Sequence, residues 1–206
     1  MKGEQIYLKG LYRVQKKDLE KCADVATAAL LNDPSSKYLL KHNLTYQKLY
    51  KYFLTIYRAM YKHSYIFAPS ESIEGVLALT SPQNMSPSSV DYISAGILKL
   101  QFTIDIGILF RSIKYKSNCE RIQQMISTNN AWYVFQFAIT PKKQGLGLGS
   151  KLMKPFLNYL DKNQLPCYLE THKEKNVDLY THYGFSLKSV DTLPDKKNKQ
   201  YSMIRI

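Results

Sequence analysis

Three alternating glycines, Gly145, Gly147 and Gly149, lie in a short turn between a β-rich run at 132–139 and a helical pattern. Such a turn leaves backbone N–H groups without side chains in front of them. At the start of a helix these donors point outward, with the positive end of the helix dipole behind them. This arrangement binds anions, so the sequence predicts a phosphate site here.

The glycine spacing excludes two well-known phosphate loops. A dinucleotide-binding turn needs Gly-x-Gly-x-x-Gly, whereas the glycines here alternate. A nucleoside triphosphate loop needs Gly-Lys followed by Ser or Thr, and Gly149-Ser150-Lys151 has the wrong order. The phosphate must therefore belong to another kind of ligand.

Gln144, Gly147 and Gly149 fit the pattern Gln-x-x-Gly-x-Gly. This pattern resembles the pyrophosphate-binding motif of the GNAT superfamily of acyl-CoA-dependent N-acyltransferases. A downstream segment is similar to the segment of that family with an Asn followed by Leu-Tyr-x-x-x-Gly-Phe, and it consists of Asn176, Leu179, Tyr180, Gly184 and Phe185, with two residues between Asn176 and Leu179. Two motifs separated by a strand-helix-strand pattern are more specific than either motif alone.

The resemblance implies how acetyl-CoA is held, with no metal. The pantetheine arm would pair with the exposed edge of the central strand through the backbone of Phe137, Ala138 and Ile139. Lys142 and Lys143 would attract the phosphates, and Asn176 would either bind the arm or cap its helix. The pyrophosphate would be held by the backbone amides of Gln144, Gly145, Leu146, Gly147, Leu148, Gly149 and Ser150.

Tyr180 matches the family position whose phenol protonates the departing CoA thiolate, which assigns it as general acid. Tyr183 lies on nearly the same helix face and is the rival. An attacking amine must also lose a proton, and the best candidate base is Glu170 at the end of the next strand, with His172 or a water chain as alternatives. Cys167 has no evident base partner, so an acyl-cysteine intermediate is not expected.

The elements around these motifs predict a mixed α/β domain of the GNAT type. Its central sheet is expected to be mixed and mostly antiparallel, with splayed central strands flanked by helices. The chain is predicted to form one N-acetyltransferase domain, residues 1–206, with its strongest motifs in 132–190. Upstream, the patterns predict a strand in 6–14, a helix in 17–32 stopped by Asp33-Pro34, a helix capped by Thr45 and a hairpin in 65–80.

The amino-acid composition limits the classes of function that this chain can have. Of 206 residues, 45% are hydrophobic and 22% charged, which is typical of a globular protein. The net charge of +13 favours an anionic partner, yet no basic stripe interleaved with aromatic residues suggests nucleic acid. Charged and polar residues interrupt the longest apolar stretch, and residues 1–5 contain no signal core, so no membrane association is expected. Cys22, Cys119 and Cys167 suit a reducing cytoplasm, because they form no disulfide framework.

The predicted reaction is direct transfer of acetyl from acetyl-CoA to a primary amine of a small molecule or peptide. The helical segments 36–62 and 84–128 are expected to line the acceptor side. Two alternatives stay open: a catalytically silent CoA-binding protein of the same fold, and, less favoured, a basic nucleic-acid-associated factor. The sequence does not distinguish a monomer from a homodimer.

Overall fold

A computed structural model of the chain describes residues 6–83 and 86–206. It contains a seven-stranded sheet in the order β1-β2-β3-β4-β5-β7-β6. Only the β4–β5 pair is parallel, and the other neighbours are antiparallel. The strands are β1 Tyr12–Arg13, β2 Tyr65–Ala68, β3 Gly75–Thr80, β4 Trp132–Ile139, β5 Cys167–Thr171, β6 Ser186–Thr192 and β7 Lys199–Arg205.

Eight α-helices surround the sheet in the described part of the chain. They are α1 Leu19–Leu30, α2 Pro34–Leu40, α3 Tyr46–Met60, α4 Ser89–Ser94, α5 Leu100–Thr103, α6 Ile108–Ile126, α7 Leu148–Asn163 and α8 Lys175–His182. This mixed fold confirms the predicted class. No helix within residues 6–83 and 86–206 is long and apolar enough to cross a membrane.

Most predicted elements are present at the predicted places. The hydroxyl of Thr45 accepts a hydrogen bond from the Lys48 amide at 3.3 Å and begins α3, as an N-cap residue does. The strand predicted in 6–14 is shorter than expected and spans only Tyr12–Arg13. Residues 1–5 and residues 84 and 85 of the predicted 84–128 segment lie outside the described residues.

Asp33-Pro34 corrects one expectation, because it begins a helix as well as following one. The Asp33 carboxylate accepts a hydrogen bond from the Ser35 amide at 3.0 Å, and Pro34 occupies the first position of α2. Proline is favoured there, since its missing N–H would have no helical partner. The chain therefore turns directly from α1 into α2, beside the carboxyl end of β5, where Asp33 approaches His172 and Lys173.

The core has layers on both faces of the sheet. Leu152, Phe156 and Leu160 of α7 pack with strand residues on one face, and Ala23 and Ala26 of α1 pack on the other. A third apolar cluster joins α2, α3, α5 and α6. Tyr115 of α6 packs on this cluster and connects it to the end of β5 through His172.

Candidate functional site

Strands β4 and β5 pair only at their amino-terminal ends. The register joins Trp132 to Cys167 and Tyr133 to Tyr168, and the remaining six residues of β4 have no partner on β5. On its other side β4 stays paired with β3. The two central strands therefore open like a V, and the carboxyl-terminal half of β4 presents a free backbone edge.

A β-bulge determines which backbone groups reach this edge. The β3–β4 register shifts so that Phe135 has no partner on β3. Beyond the bulge, the Thr140 amide donates to the Glu74 carbonyl oxygen at 3.0 Å, and antiparallel pairing alternates from there. Phe137 and Ile139 consequently turn their N–H and C=O groups to the open edge. The backbone of Ala138 faces β3, which corrects the prediction that Ala138 contributes to the edge.

The glycine turn follows directly and leads into α7. Gly145 and Gly147 have φ of +79° and +77°. In this left-handed region of backbone conformation, any residue other than glycine is strained. Gly149 lies in a crowded place, because a Cβ there would lie 3.3 Å from Cζ of Phe137, a tight contact that would require the ring to move slightly. With α7 beginning at Leu148, the turn sets helical N–H groups at the end of the open edge.

Several side chains around the glycine turn form hydrogen bonds or ion pairs within the protein. The Gln144 amide donates to the Ile139 carbonyl oxygen at 3.0 Å, which folds the turn back onto the strand edge. Lys143 pairs with Glu74 at 3.0 Å, and the pKa of Glu74 is lowered mainly by that lysine. Ser150 and Tyr183 share a hydrogen bond of 3.2 Å between their hydroxyls.

Tyr180 and Tyr183 differ in their surroundings. The Tyr180 ring packs against Phe137 of β4 and Phe185, with ring centroids 6.4 and 6.1 Å apart. Burial raises the pKa of Tyr180, and the negative charges of Asp33 and Glu170 raise it further. The Tyr183 hydroxyl instead lies beside the glycine turn, bonded to Ser150. Only Tyr180 therefore combines contact with the open strand with proximity to both carboxylates.

Asn176 does not cap α8. The residue before the helix is Glu174, and Asn176 lies in the first turn, where its side-chain amide donates to Thr171 Oγ1 at 2.9 Å. This bond fastens α8 to the carboxyl end of β5. The capping alternative is wrong, because the helix begins two residues earlier than that role requires.

Glu170 carries a largely buried carboxylate. Its Oε1 accepts a hydrogen bond of 2.5 Å from the Tyr133 hydroxyl, whereas Oε2 is buried with no hydrogen-bond partner among the described residues. Burial raises the pKa of Glu170, and the nearby Tyr133, His172 and Tyr168 partly offset this rise. A carboxylate of this kind is more basic than an exposed one and suits proton abstraction.

His172 belongs to a second buried group next to Glu170. Its Nδ1 lies 3.6 Å from Asp33 Oδ1, and its Nε2 lies 3.5 Å from the Tyr115 hydroxyl. Burial alone would raise the pKa of Asp33, but bonds and charge from His172, with two hydrogen bonds from Ser35, lower it. Asp33 is therefore charged and firmly held, and it positions His172.

The site contains residues that the sequence did not assign. Tyr133 and Tyr115 had no predicted role, and the bulge at Phe135 was not expected. Tyr115 comes from α6, and the same helix face turns Arg111 inward, where its Nε donates to the Leu39 carbonyl oxygen at 2.5 Å. Tyr38 and Tyr52 pack in the same apolar cluster. Segments 36–62 and 84–128 thus both supply side chains near the end of β5.

Similarity to known proteins agrees with this geometry. The family described as "Acetyltransferase (GNAT) family" matches residues 113–185. A Schizosaccharomyces pombe protein named as an uncharacterized N-acetyltransferase is 25% identical over 182 residues, which cover 84% of this chain and 72% of that protein.

Two solved structures share the fold across nearly the whole chain. One is a Corynebacterium glutamicum protein described as "histone acetyltransferase HPA2 and related acetyltransferase", with a TM-score of 0.65, 18% identity, and coverage of 95% of this chain and 94% of that one. The other is a putative arylalkylamine N-acetyltransferase 7 of Aedes aegypti, with a TM-score of 0.58, 14% identity, and coverage of 94% and 85%. The open β4 edge and the glycine turn both lie within residues 113–185, the part of the chain that matches the GNAT acetyltransferase family, and the solved structures show that nearly the whole chain shares the GNAT fold.

Proposed function

We propose that this protein transfers the acetyl group of acetyl-CoA directly to a primary amine of a small molecule or peptide. The observation that carries the proposal is the open edge of β4, which has the glycine turn at one end and Glu170 and Tyr180 near the separated strands. We call the edge together with residues 144–150 the donor side. We call Asp33, Tyr115, Tyr133, Glu170 and His172 the acceptor side.

On the donor side, the backbone groups of Phe137 and Ile139 would pair with the pantetheine arm as an added strand does. The amides of residues 144–150 would hold the pyrophosphate at the start of α7. The Ile139 carbonyl is occupied by the Gln144 side chain, so binding of the arm would require that side chain to turn away. A backbone amide of β4 beside the bulge would then donate to the thioester oxygen and stabilise its developing negative charge.

On the acceptor side, Glu170 would take a proton from the ammonium form of the acceptor. The free amine nitrogen would attack the thioester carbon, and the resulting tetrahedral intermediate would release the CoA thiolate as the C–S bond breaks. The nitrogen loses its second proton as the amide forms, and that proton restores the phenol of Tyr180 after Tyr180 has protonated the thiolate. The products are an amide and CoA, and the proton on Glu170 returns to solvent. No covalent bond to the protein forms, which agrees with the high pKa that burial gives the Cys167 thiol.

Tyr180 would donate a hydrogen bond to the departing thiolate and then its proton. With ordinary pKa values of about 10 for a phenol and about 8.5 for a thiol, this transfer is uphill by roughly 1.5 pKa units. The thiolate leaves into the same desolvated site, where burial raises the pKa of a thiol as well. The raised pKa of Tyr180 keeps the phenol protonated across the neutral range, so the hydrogen bond is always available.

The acceptor classes to test come from the proteins that share the fold. Their names include an arylalkylamine acetyltransferase and a histone acetyltransferase, which points to aromatic amines and lysine side chains. The aromatic side chains around the end of β5 suit both. A reducing, cytoplasmic setting is proposed on the basis of the three cysteines, which are all free and buried.

The test is release of free thiol from acetyl-CoA across a panel of aromatic amines, polyamines, aminoglycosides, amino acids and lysine peptides. We expect at least one amine to be acetylated, with Tyr180→Phe and Glu170→Gln each lowering kcat by roughly 100-fold or more. Tyr183→Phe is the matched control and should stay within about threefold of the parent. If acetyl-CoA raises the Tm while no amine releases thiol, the protein is a silent CoA-binding member of the fold. If Tyr183→Phe loses turnover and Tyr180→Phe does not, the assignment of the acid is wrong.

A further inference from the structure

The two oxygens of the Glu170 carboxylate are in different situations. Oε1 accepts the 2.5 Å hydrogen bond from Tyr133, and Oε2 is buried without a hydrogen-bond partner among the described residues. Leaving a buried acceptor unpaired costs free energy, so it is uncommon unless the group has a task. Oε1 is therefore fixed by a hydrogen bond, whereas Oε2 is available to accept a proton.

Tyr133 is placed to hold Glu170 rigidly. It lies on β4 at the last residue that pairs with β5, immediately before the strands part. Its ring packs against Tyr168 and Phe135, with centroids 5.6 and 6.2 Å apart, so the ring is fixed on both sides. A rigid donor loses little conformational freedom when it bonds the carboxylate.

We propose that Tyr133 is the positioning residue of the base: its hydroxyl fixes Oε1 of Glu170 and leaves Oε2 as the atom that receives the proton of the acceptor amine. This inference rests on the proposed function for the identity of the proton donor, but the Tyr133–Glu170 bond itself does not depend on it. A hydrogen bond to the charged form of a carboxylate favours that form. The hydrogen bond from Tyr133 therefore favours the ionised form of Glu170 and offsets part of the rise in pKa that burial causes.

Other groups also face Glu170 and limit what can be attributed to Tyr133. From β5 this is Tyr168, whose hydroxyl donates to Ser202 Oγ at 3.2 Å and also lowers the Glu170 pKa. Immediately after β5, His172 lowers it too. From the packed helices the facing groups are Tyr115 and Cys119 of α6 and Tyr180 of α8. Among the hydroxyls near Glu170, the one on Tyr133 makes the short bond and has the larger effect on the Glu170 pKa.

The decisive measurement is the pKa of Glu170, followed by NMR in protein labelled with carboxyl carbon-13 glutamate and assigned by comparison with Glu170→Gln. Tyr133→Phe should raise this pKa by roughly one unit, a tenfold change in proton affinity. Tyr57→Phe is the matched control, because Tyr57 is 1% exposed and its buried hydroxyl has no hydrogen-bond partner among the described residues. It should leave the Glu170 pKa unchanged. An unchanged pKa in Tyr133→Phe, or an equal shift in Tyr57→Phe, overturns the proposal.

A second measurement needs no Tyr133 variant and covers the case in which Tyr133→Phe does not fold. In the parent protein, the Tyr133 hydroxyl proton should resonate downfield and exchange slowly, and Glu170→Gln should remove that signal. Its absence from the parent contradicts the short bond.

Kinetics with the fastest amine of the panel separate this inference from the proposed function. Tyr133→Phe should move the acidic limb of the kcat/KM profile to higher pH by the same amount as the NMR shift, with the KM for acetyl-CoA unchanged. If Glu170→Gln keeps full turnover, the base assignment fails. If Glu170→Gln is inactive while Tyr133→Phe keeps the parent pH profile, only the role of Tyr133 fails.

Discussion

On the proposed donor side, seven consecutive residues, 144–150, supply half of the predicted cofactor contacts, and they are proposed to act through backbone N–H groups. On the acceptor side, Asp33, Tyr115, Tyr133, Glu170 and His172 come from distant parts of the chain and act through side chains. A backbone site depends on local φ and ψ, which glycine spacing controls. A side-chain site depends on packing between elements. The two sides should therefore respond differently to substitution, in ligand affinity on one side and in stability and pH dependence on the other.

The largest effect is expected on the donor side from Gly147→Glu. A carboxylate at this position would face the pyrophosphate, and glutamate disfavours the φ of +77°. We expect the Kd for CoA, measured by calorimetry, to rise by about 100-fold or more. Gly96→Glu is the matched control, because Gly96 also has a positive φ, +93°, and lies away from the turn. Should both variants bind CoA as the parent does, residues 144–150 do not hold the pyrophosphate.

A smaller effect, and one of stability, is expected from Asp33→Asn on the acceptor side. The side chain of Asp33 is 6% exposed, and its bonds to Ser35, His172 and Lys173 would be weakened. We expect the free energy of unfolding at neutral pH to fall by about 1–3 kcal/mol, with CoA affinity unchanged. Asp178→Asn, at an exposed position of α8, should change it by less than about 0.5 kcal/mol.

The pH dependence of that loss follows from the lowered pKa of Asp33. A carboxyl whose folded pKa is below its unfolded value of about 3.9 stabilises the fold above that value, and this contribution disappears as the pH falls through the folded pKa. Urea unfolding at neutral pH and at about pH 3 should therefore show the parent and Asp33→Asn converging in acid. A constant difference at both pH values would mean that the charge of Asp33 is not what stabilises the turn.

The smallest expected effect distinguishes two neighbouring lysines that immediately precede the glycine turn, Lys142 and Lys143. Lys143 is paired with Glu74, whereas Lys142 makes no ion pair within the described parts of the chain. Lys142→Ala should therefore weaken CoA binding by about threefold at low salt and Lys143→Ala by less, with both effects fading at high salt. Glu74→Gln should strengthen binding slightly by releasing Lys143. The opposite order of the two lysines would show that Lys143 leaves Glu74 when the cofactor binds.

Much of the fold followed from local pattern. Thr45 begins α3 because a hydroxyl there satisfies a free N–H, and the apolar run 132–139 is β4 with the predicted bounds. The first helix ends before Asp33-Pro34, as predicted. The start of α2 was not predicted, because the same two residues both follow α1 and begin α2. Glu170 was named from its place at the carboxyl end of a predicted strand. Its burial and its bond to Tyr133 depend on a neighbouring strand far away in sequence.

By itself the sequence determined the glycine turn, since the glycines at 145, 147 and 149 and the strand before them impose their geometry over a few residues. The tertiary structure alone decided three further features: the bulge that turns Phe137 and Ile139 to the open edge, the separation of β4 from β5, and the buried group around Glu170. Each arises where strands and helices distant in sequence pack together. The side-chain types printed in the sequence do not specify which of 17 tyrosines will meet one carboxylate.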